Sequence, residues 1–186
     1  MSTRPSGAVP PEFDSHHFRH ALSQFATGVT IITTRLPDGS FLGLTASSFN
    51  TVSLDPPLVL WSLAQTANSL PVFTGNSHYV INILAGDQAA LAERFAMRIE
   101  NRFEGVDFEL SRTGLPILKG VAAWFECHNR SRYPEGDHVI FVGEVERCDV
   151  APKPALVFHG GEFASTQPLH RRAGKIPHHH NPKEPR

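Results

Sequence analysis

Four stretches of this sequence combine residue types that hold and position a polar ligand. In Gly43-Leu44-Thr45-Ala46-Ser47-Ser48-Phe49-Asn50, small hydroxyl residues close an apolar run. Such a rim presents backbone N–H and side-chain O–H groups that a bulky residue would obstruct, and it bonds a flat, acceptor-rich heterocycle or a phosphate. In Trp61-Ser62-Leu63-Ala64-Gln65-Thr66-Ala67-Asn68-Ser69, an apolar strand empties into a polar turn. Asn68 or Ser69 then stands near a helix start, where unpaired N–H groups favour an anion. Glu135-Gly136-Asp137-His138 has turn chemistry, with His138 opening the apolar run that follows. In Phe158-His159-Gly160-Gly161-Glu162-Phe163, paired glycines allow close backbone approach to a ligand, and Phe163 is placed to cover a ring. Each stretch, taken alone, is equally an ordinary strand end, helix cap or turn.

Other chemistries lack their signatures. No GxGxxG follows a strand and no GxxxxGK[ST] occurs, so neither of the common nucleotide-phosphate loops is supported. The eleven histidines are scattered, apart from His16-His17-His20 and His178-His179-His180. His16 and His20 share a helix face without an acid or cysteine beside them, so no native metal site is expected. Cys127 and Cys148 fall on opposite arms of a long hairpin, several residues out of register. At about 3.3 Å per strand residue they are beyond disulfide reach, and both read as buried thiols.

The elements that position these stretches follow from periodicity. Asp14 reads as the N-cap of a helix, with Phe18, Ala21, Leu22, Phe25 and Ala26 on a buried face and Gly28 as its stop. Val29–Thr34 and Phe41–Phe49 then form a hairpin about Pro37-Asp38-Gly39. Leu58–Leu63 and Tyr79–Leu84 are strands, with a turn or two of helix over Asn68–Phe73 between them. Asp87 reads as the cap of a second long helix carrying Leu91, Ala92, Phe95, Ala96 and Ile99, followed by an irregular stretch over 100–120. Val121–Asn129 and His138–Val150 form the long hairpin, and Ala155–Phe158 is a last short strand. About two helices and six or seven strands with hairpin connections predict a mainly β fold, an antiparallel barrel with helices outside it or at its ends.

Composition agrees with one globular domain over 14–167, between a loose arm (1–13) and a polar tail (168–186). A net charge of -1 is no electrostatic footprint for nucleic acid or an anionic membrane surface. The sequence contains no apolar run of membrane-spanning length and its first residues carry no apolar signal segment, so a cytoplasmic protein is expected.

In order and spacing, Phe25-Ala26-Thr27-Gly28-Val29-Thr30, Gly43–Phe49, Val52-Ser53-Leu54-Asp55-Pro56-Pro57-Leu58-Val59, Gly136-Asp137-His138 with Gly143-Glu144-Val145, and His159-Gly160-Gly161 resemble the short-chain flavin reductases, the reductase components of two-component flavin-dependent monooxygenases. The likeness covers residues 14–167. It implies an FMN-binding split β-barrel of antiparallel, Greek-key type. It also implies a homodimer with flavin near the subunit interface, and a partner monooxygenase that receives reduced flavin. On that pattern Thr45, Ala46, Ser47 and Ser48 line the flavin ring, while Ser62, Leu63, Ala64, Asn68 and Ser69 reach the ribityl chain and phosphate. Gly136, Asp137 and His138 serve nicotinamide and flavin, with His138 in the catalytic role, His159 is a further cofactor-binding residue, and Phe163 walls the nicotinamide. FMN and FAD, and NADH and NADPH, stay open. Many relatives carry Lys or another Ser in the turn that is Gln65–Ser69 here, and this turn has no cation, so the phosphate would rest on neutral donors or on Arg94, Arg98 or Arg102. A flavin- or haem-binding carrier without turnover is the alternative reading.

Overall fold

The computed structural model describes residue 9 and residues 11–168. Most of the expected arm and nearly all of the expected tail, including His178-His179-His180, lie outside the described residues. The chain runs α1 (Ser15–Ser23), β1 (Thr27–Gly28), β2 (Thr30–Arg35), β3 (Phe41–Ala46), β4 (Asn50–Leu54), β5 (Pro57–Ala64) and α2 (Leu70–Gly75). It continues through β6 (His78–Ile83), α3 (Ala89–Ala96), β7 (Phe108–Leu110), β8 (Pro116–Leu118), β9 (Ala123–Glu135), β10 (His138–Val150), β11 (Leu156–His159) and β12 (Glu162–Ser165).

Seven strands make one antiparallel sheet in the order β3-β2-β6-β9-β10-β5-β4. The passage from β5 to β6 crosses over β10 and β9, which gives the sheet its Greek-key character. Its two edge strands are consecutive in the chain, joined only by Ser47-Ser48-Phe49. An extended residue spans at most about 3.5 Å, so the sheet must curl until its edges approach. Yet β4 covers β5 only from Pro57 to Leu60, and β3 pairs only with β2. The barrel is therefore split along the line between β3 and the C-terminal half of β5.

Alternation decides what fills the barrel. Val59, Trp61 and Leu63 of β5 point inward with Ile32, Leu44, Tyr79, Ile81, Cys127, Val139 and Phe141. Trp61 stacks on Phe141 at 4.6 Å between ring centroids, with Phe73 of α2 edge-on at 5.0 Å. On the outer face of β2, Ile31 joins Ala92 and Phe95 of α3 in a second apolar cluster. A Cβ on Gly43 would lie 2.5 Å from the Phe95 ring, so only glycine lets α3 sit this close to β3.

Several expectations change. Asp14 does cap α1, accepting from the His17 N–H at 2.7 Å. The helix nevertheless ends at Ser23, and Gly28 belongs to β1. Its apolar stripe is not buried: Phe18, Leu22 and Phe25 are 48%, 56% and 72% exposed. Gln88 rather than Asp87 stands at the N-cap of α3, and Ile99 falls beyond that helix. The β7–β8 hairpin, β4 and β12 are additional strands. β4 buries none of its residues, so it shows no alternation to read. Cys148 is exposed and only Cys127 is buried. The long hairpin turns tightly at Gly136-Asp137 and is bulged, which sets Cys127 opposite Val145 and Cys148 opposite Phe125.

Candidate active site along the split

The split runs past three of the four sequence stretches. At its closed end, the Ser48 hydroxyl accepts from the Ser62 N–H at 2.9 Å and donates to the Ser62 carbonyl at 3.1 Å. Phe49 anchors the same link by stacking on Phe125 at 5.7 Å. Further along, the Gln65 N–H donates to the Asp137 carbonyl at 2.8 Å and the Gln65 amide to the Gly136 carbonyl at 3.2 Å. His138 pairs with Ala64 across β5 and β10. Gln65 thus joins the second and third stretches, a role its sequence context did not mark.

Hydrogen-bond parity shows which way the β5 backbone faces. Because Gln65 bonds toward β10, the alternation of an antiparallel strand turns the N–H groups of Ser62 and Ala64 toward the split. The Ser48–Ser62 pair confirms that direction. Across the gap, the Gly43 carbonyl points to the open edge of β3 and accepts from Arg102 at 2.8 Å. The same parity aims the Thr45 N–H into the split. The Thr45 hydroxyl faces elsewhere, donating to the Ala92 carbonyl of α3 at 2.6 Å. Thr45 and Ser48 therefore have their hydroxyls engaged within the protein, whereas sequence reasoning had both hydroxyl and backbone on offer. Ala46 and Leu63 are buried with their side chains in the barrel core, and the same parity turns their backbones to β2 and β10, so neither offers a group to the split.

The other end of the split opens into a cleft of about 260 Å³. Asn68, Ser69, Gly43, Glu100 and Arg102 supply its polar lining, and Leu36, Phe41 and Val72 are among its apolar walls. Of the three arginines considered from sequence, Arg102 is the one that reaches it. Arg94 instead donates to the carbonyls of Arg102 and Asn101 and holds the loop. Partial burial lowers the Arg102 pKa from its ordinary value. α2 has six residues and no side-chain cap from Ser69, which leaves little macrodipole to attract an anion. Arg102 is then the cation of this cleft.

At the hairpin tip, Gly136 has φ +59°, as the first central residue of a tight two-residue hairpin requires. The turn places the Asp137 carboxylate 2.7 Å from His138 Nδ1. That hydrogen bond, with the attraction of the imidazole, holds the Asp137 carboxyl below its usual range. The imidazole is fixed through Nδ1 and keeps Nε2 for a ligand. The fourth stretch lies apart. Phe163 packs against Phe158 at 5.4 Å, and Gly160 donates to the Ser23 carbonyl at the end of α1. Among the described residues, no hydrogen bond joins His159 or Phe163 to the split.

A family model, the flavin reductase-like domain, matches residues 22–167. The chain belongs to that family. It is 43% identical over 155 residues to the NADH-dependent FMN reductase SmoA of Agrobacterium fabrum, covering 83% of this chain and 88% of that protein. It is 40% identical over 145 residues to the reductase component of the flavin-dependent trigonelline monooxygenase of Acinetobacter baylyi, covering 78% of this chain but 47% of that longer protein. The structure of the NADH:FAD oxidoreductase SgcE6 of Streptomyces globisporus, solved with NAD and FAD fragments, superposes with a TM-score of 0.81. That structure is 33% identical, with 89% of this chain and 100% of the other covered. This flavin reductase-like chain thus combines the split antiparallel barrel with a groove whose walls are backbone N–H groups, a histidine–aspartate pair and one arginine.

Proposed function

We propose that the chain transfers hydride from NADH or NADPH to FMN or FAD, and that the reduced flavin serves a partner monooxygenase. The observation that carries this reading is the split itself: the Thr45 N–H of β3 and the Ala64 N–H of β5 turn toward it, and it leads to a cleft with a single arginine. A flavin is flat, rich in carbonyl and ring-nitrogen acceptors, and ends in phosphate, so the donor set fits it. When bound, it supplies the hydride-accepting chemistry.

The chain's own residues bind and orient. The backbone of Thr45, Ser47, Ser48 and Ala64 holds the ring and stabilises negative charge that develops on it, while Ala46, Ser62 and Leu63 keep those groups in place from within the sheet. Asn68, Ser69 and Arg102 hold the phosphate. Gly136 and Asp137 fix His138 beside the nicotinamide. The relatives named above as NADH-dependent favour NADH, and the A. baylyi relative's name supports the monooxygenase partner. With neutral donors and one arginine at the phosphate end, the flavin binds weakly enough to leave after reduction.

A homodimer completes this reading. The exposed Phe18 and Leu22 of α1, with Phe25 just beyond it, need a cover, and a second copy provides one. His159 and Phe163, beside the end of α1, then sit where two copies meet. Light scattering should give twice the chain mass, and Leu22→Glu with Phe25→Glu should return it to one. Among the described residues no helix is long and apolar enough to cross a membrane, and we place the protein in the cytoplasm.

The test is oxidation of NADH and NADPH, each with FMN, FAD and riboflavin, followed by loss of dihydronicotinamide absorbance. At least one pair should turn over many times per chain. Flavin binding without turnover in every pair would overturn the reading in favour of a carrier.

A further inference from the structure

Ser48 occupies an unusual place in the β4–β5 ladder. Asn50 pairs with Leu60 and Thr51 with Val59, so the same register continued would set Ser48 opposite Ser62. Parity makes that position a hydrogen-bonded pair, in which Ser48 would offer its own N–H and C=O to the C=O and N–H of Ser62. The structure shows the Ser48 hydroxyl doing both jobs, accepting at 2.9 Å and donating at 3.1 Å. One hydroxyl has a single donor and two acceptor sites, which is enough to satisfy one peptide's N–H and another's C=O. The backbone of Ser47, Ser48 and Phe49 is displaced from the ladder, and among the described residues none of these N–H groups has a backbone partner.

We propose that Ser48 is a positioning residue: its hydroxyl replaces its own backbone in the sheet, and so keeps the Ser47–Phe49 peptides turned toward the split to bind the flavin ring. The inference rests on the flavin reading above and changes the part Ser48 plays in it. The side chain does not touch the ligand; it holds open the donors that do. With alanine in its place, the Ser62 peptide loses both partners, and the cheapest repair is for the link to close into the regular ladder. That closure removes the donors from the split. Threonine keeps the hydroxyl and should keep the opening.

Two measurements test this, on the full chain. In flavin-free protein, amide hydrogen exchange at Ser47, Ser48 and Phe49 should be fast in wild type and Ser48→Thr, and at least about tenfold slower in Ser48→Ala. Flavin affinity, titrated by fluorescence quenching with FMN and with FAD, should fall roughly tenfold in Ser48→Ala and return in Ser48→Thr. The visible spectrum of flavin bound to Ser48→Ala should shift toward that of free flavin, with the KM for NADH unchanged. Equal exchange in all three proteins, or a threonine variant as impaired as alanine, would overturn the proposal. If wild type binds no flavin, the functional reading fails by itself, and the exchange rates still judge Ser48.

Discussion

β5 separates two regions that treat the same strand in opposite ways. Its inward side, Val59, Trp61 and Leu63, is enclosed by aromatic and aliphatic side chains from β2, β6, β9, β10 and α2. Along its open edge the backbone of Ser62 meets a single serine hydroxyl, and that of Ala64 faces the split. The barrel interior satisfies apolar surface; the split leaves polar groups unpaired. Unpaired backbone groups cost stability wherever they are buried, so they belong at a groove where a ligand or water completes them. Stability and ligand binding are thus placed about one side chain apart, and substitutions should separate them.

The largest effect is expected in the interior. Trp61→Ala should cost about 3–5 kcal/mol, because the stack on Phe141 and the contacts with Phe73 and Tyr79 leave a cavity that the curled sheet cannot close. Chemical denaturation should show the loss, with any folded remainder binding flavin at close to wild-type affinity. At the split the balance reverses. Arg102→Ala should weaken flavin binding roughly tenfold to a hundredfold, with Arg102→Lys between it and wild type. Equal loss of riboflavin and FMN affinity would show that Arg102 acts on the sheet rather than on the phosphate.

Glu126 sharpens the contrast from outside both regions. Burial pushes its carboxyl up, but hydrogen bonds from Ser111 and Thr113, with the charge of Arg147, together hold it below its ordinary value. Oε1 accepts from the Thr113 N–H at 2.9 Å and from its hydroxyl at 2.6 Å, pinning the loop between β7 and β8. A carboxyl lowered on folding stabilises above its unfolded pKa, and that stability is lost as pH falls through the folded value. Glu126→Gln should therefore cost about 1–3 kcal/mol near neutrality and flatten the acid limb of melting temperature against pH. An unchanged acid limb would remove Glu126 from this role.

The smallest predicted change is at the hairpin tip. His138→Ala should lower turnover with NADH by several-fold to about tenfold while flavin affinity moves little, since His138 stands on the far side of Ala64 from Ser48. Unchanged turnover would take His138 out of the site.

How much of this was legible depended on where each signal resides. β2, β5, β6 and the long hairpin were readable because one or both faces are buried and their residues say so. β4 was not, because its residues are exposed and carry no alternation. The three stretches beside the split were found as residue types, but not the direction of their groups: Thr45 and Ser48 read as hydroxyl donors to a ligand, and both hydroxyls turned out to face the protein. Arg102 was one of three equal candidates until the loop after α3 folded back over Gly43.

The strand-rich fold class, the capped first helix and the family were legible in the sequence alone, since each depends on local conformational preference or on an ordered series of short motifs. The tertiary structure alone decided which edge of the sheet stays open, which arginine reaches the cleft, and that Ser48 stands in for its own backbone. Those facts depend on register between strands far apart in the chain, and a one-residue shift in register would redirect every group involved.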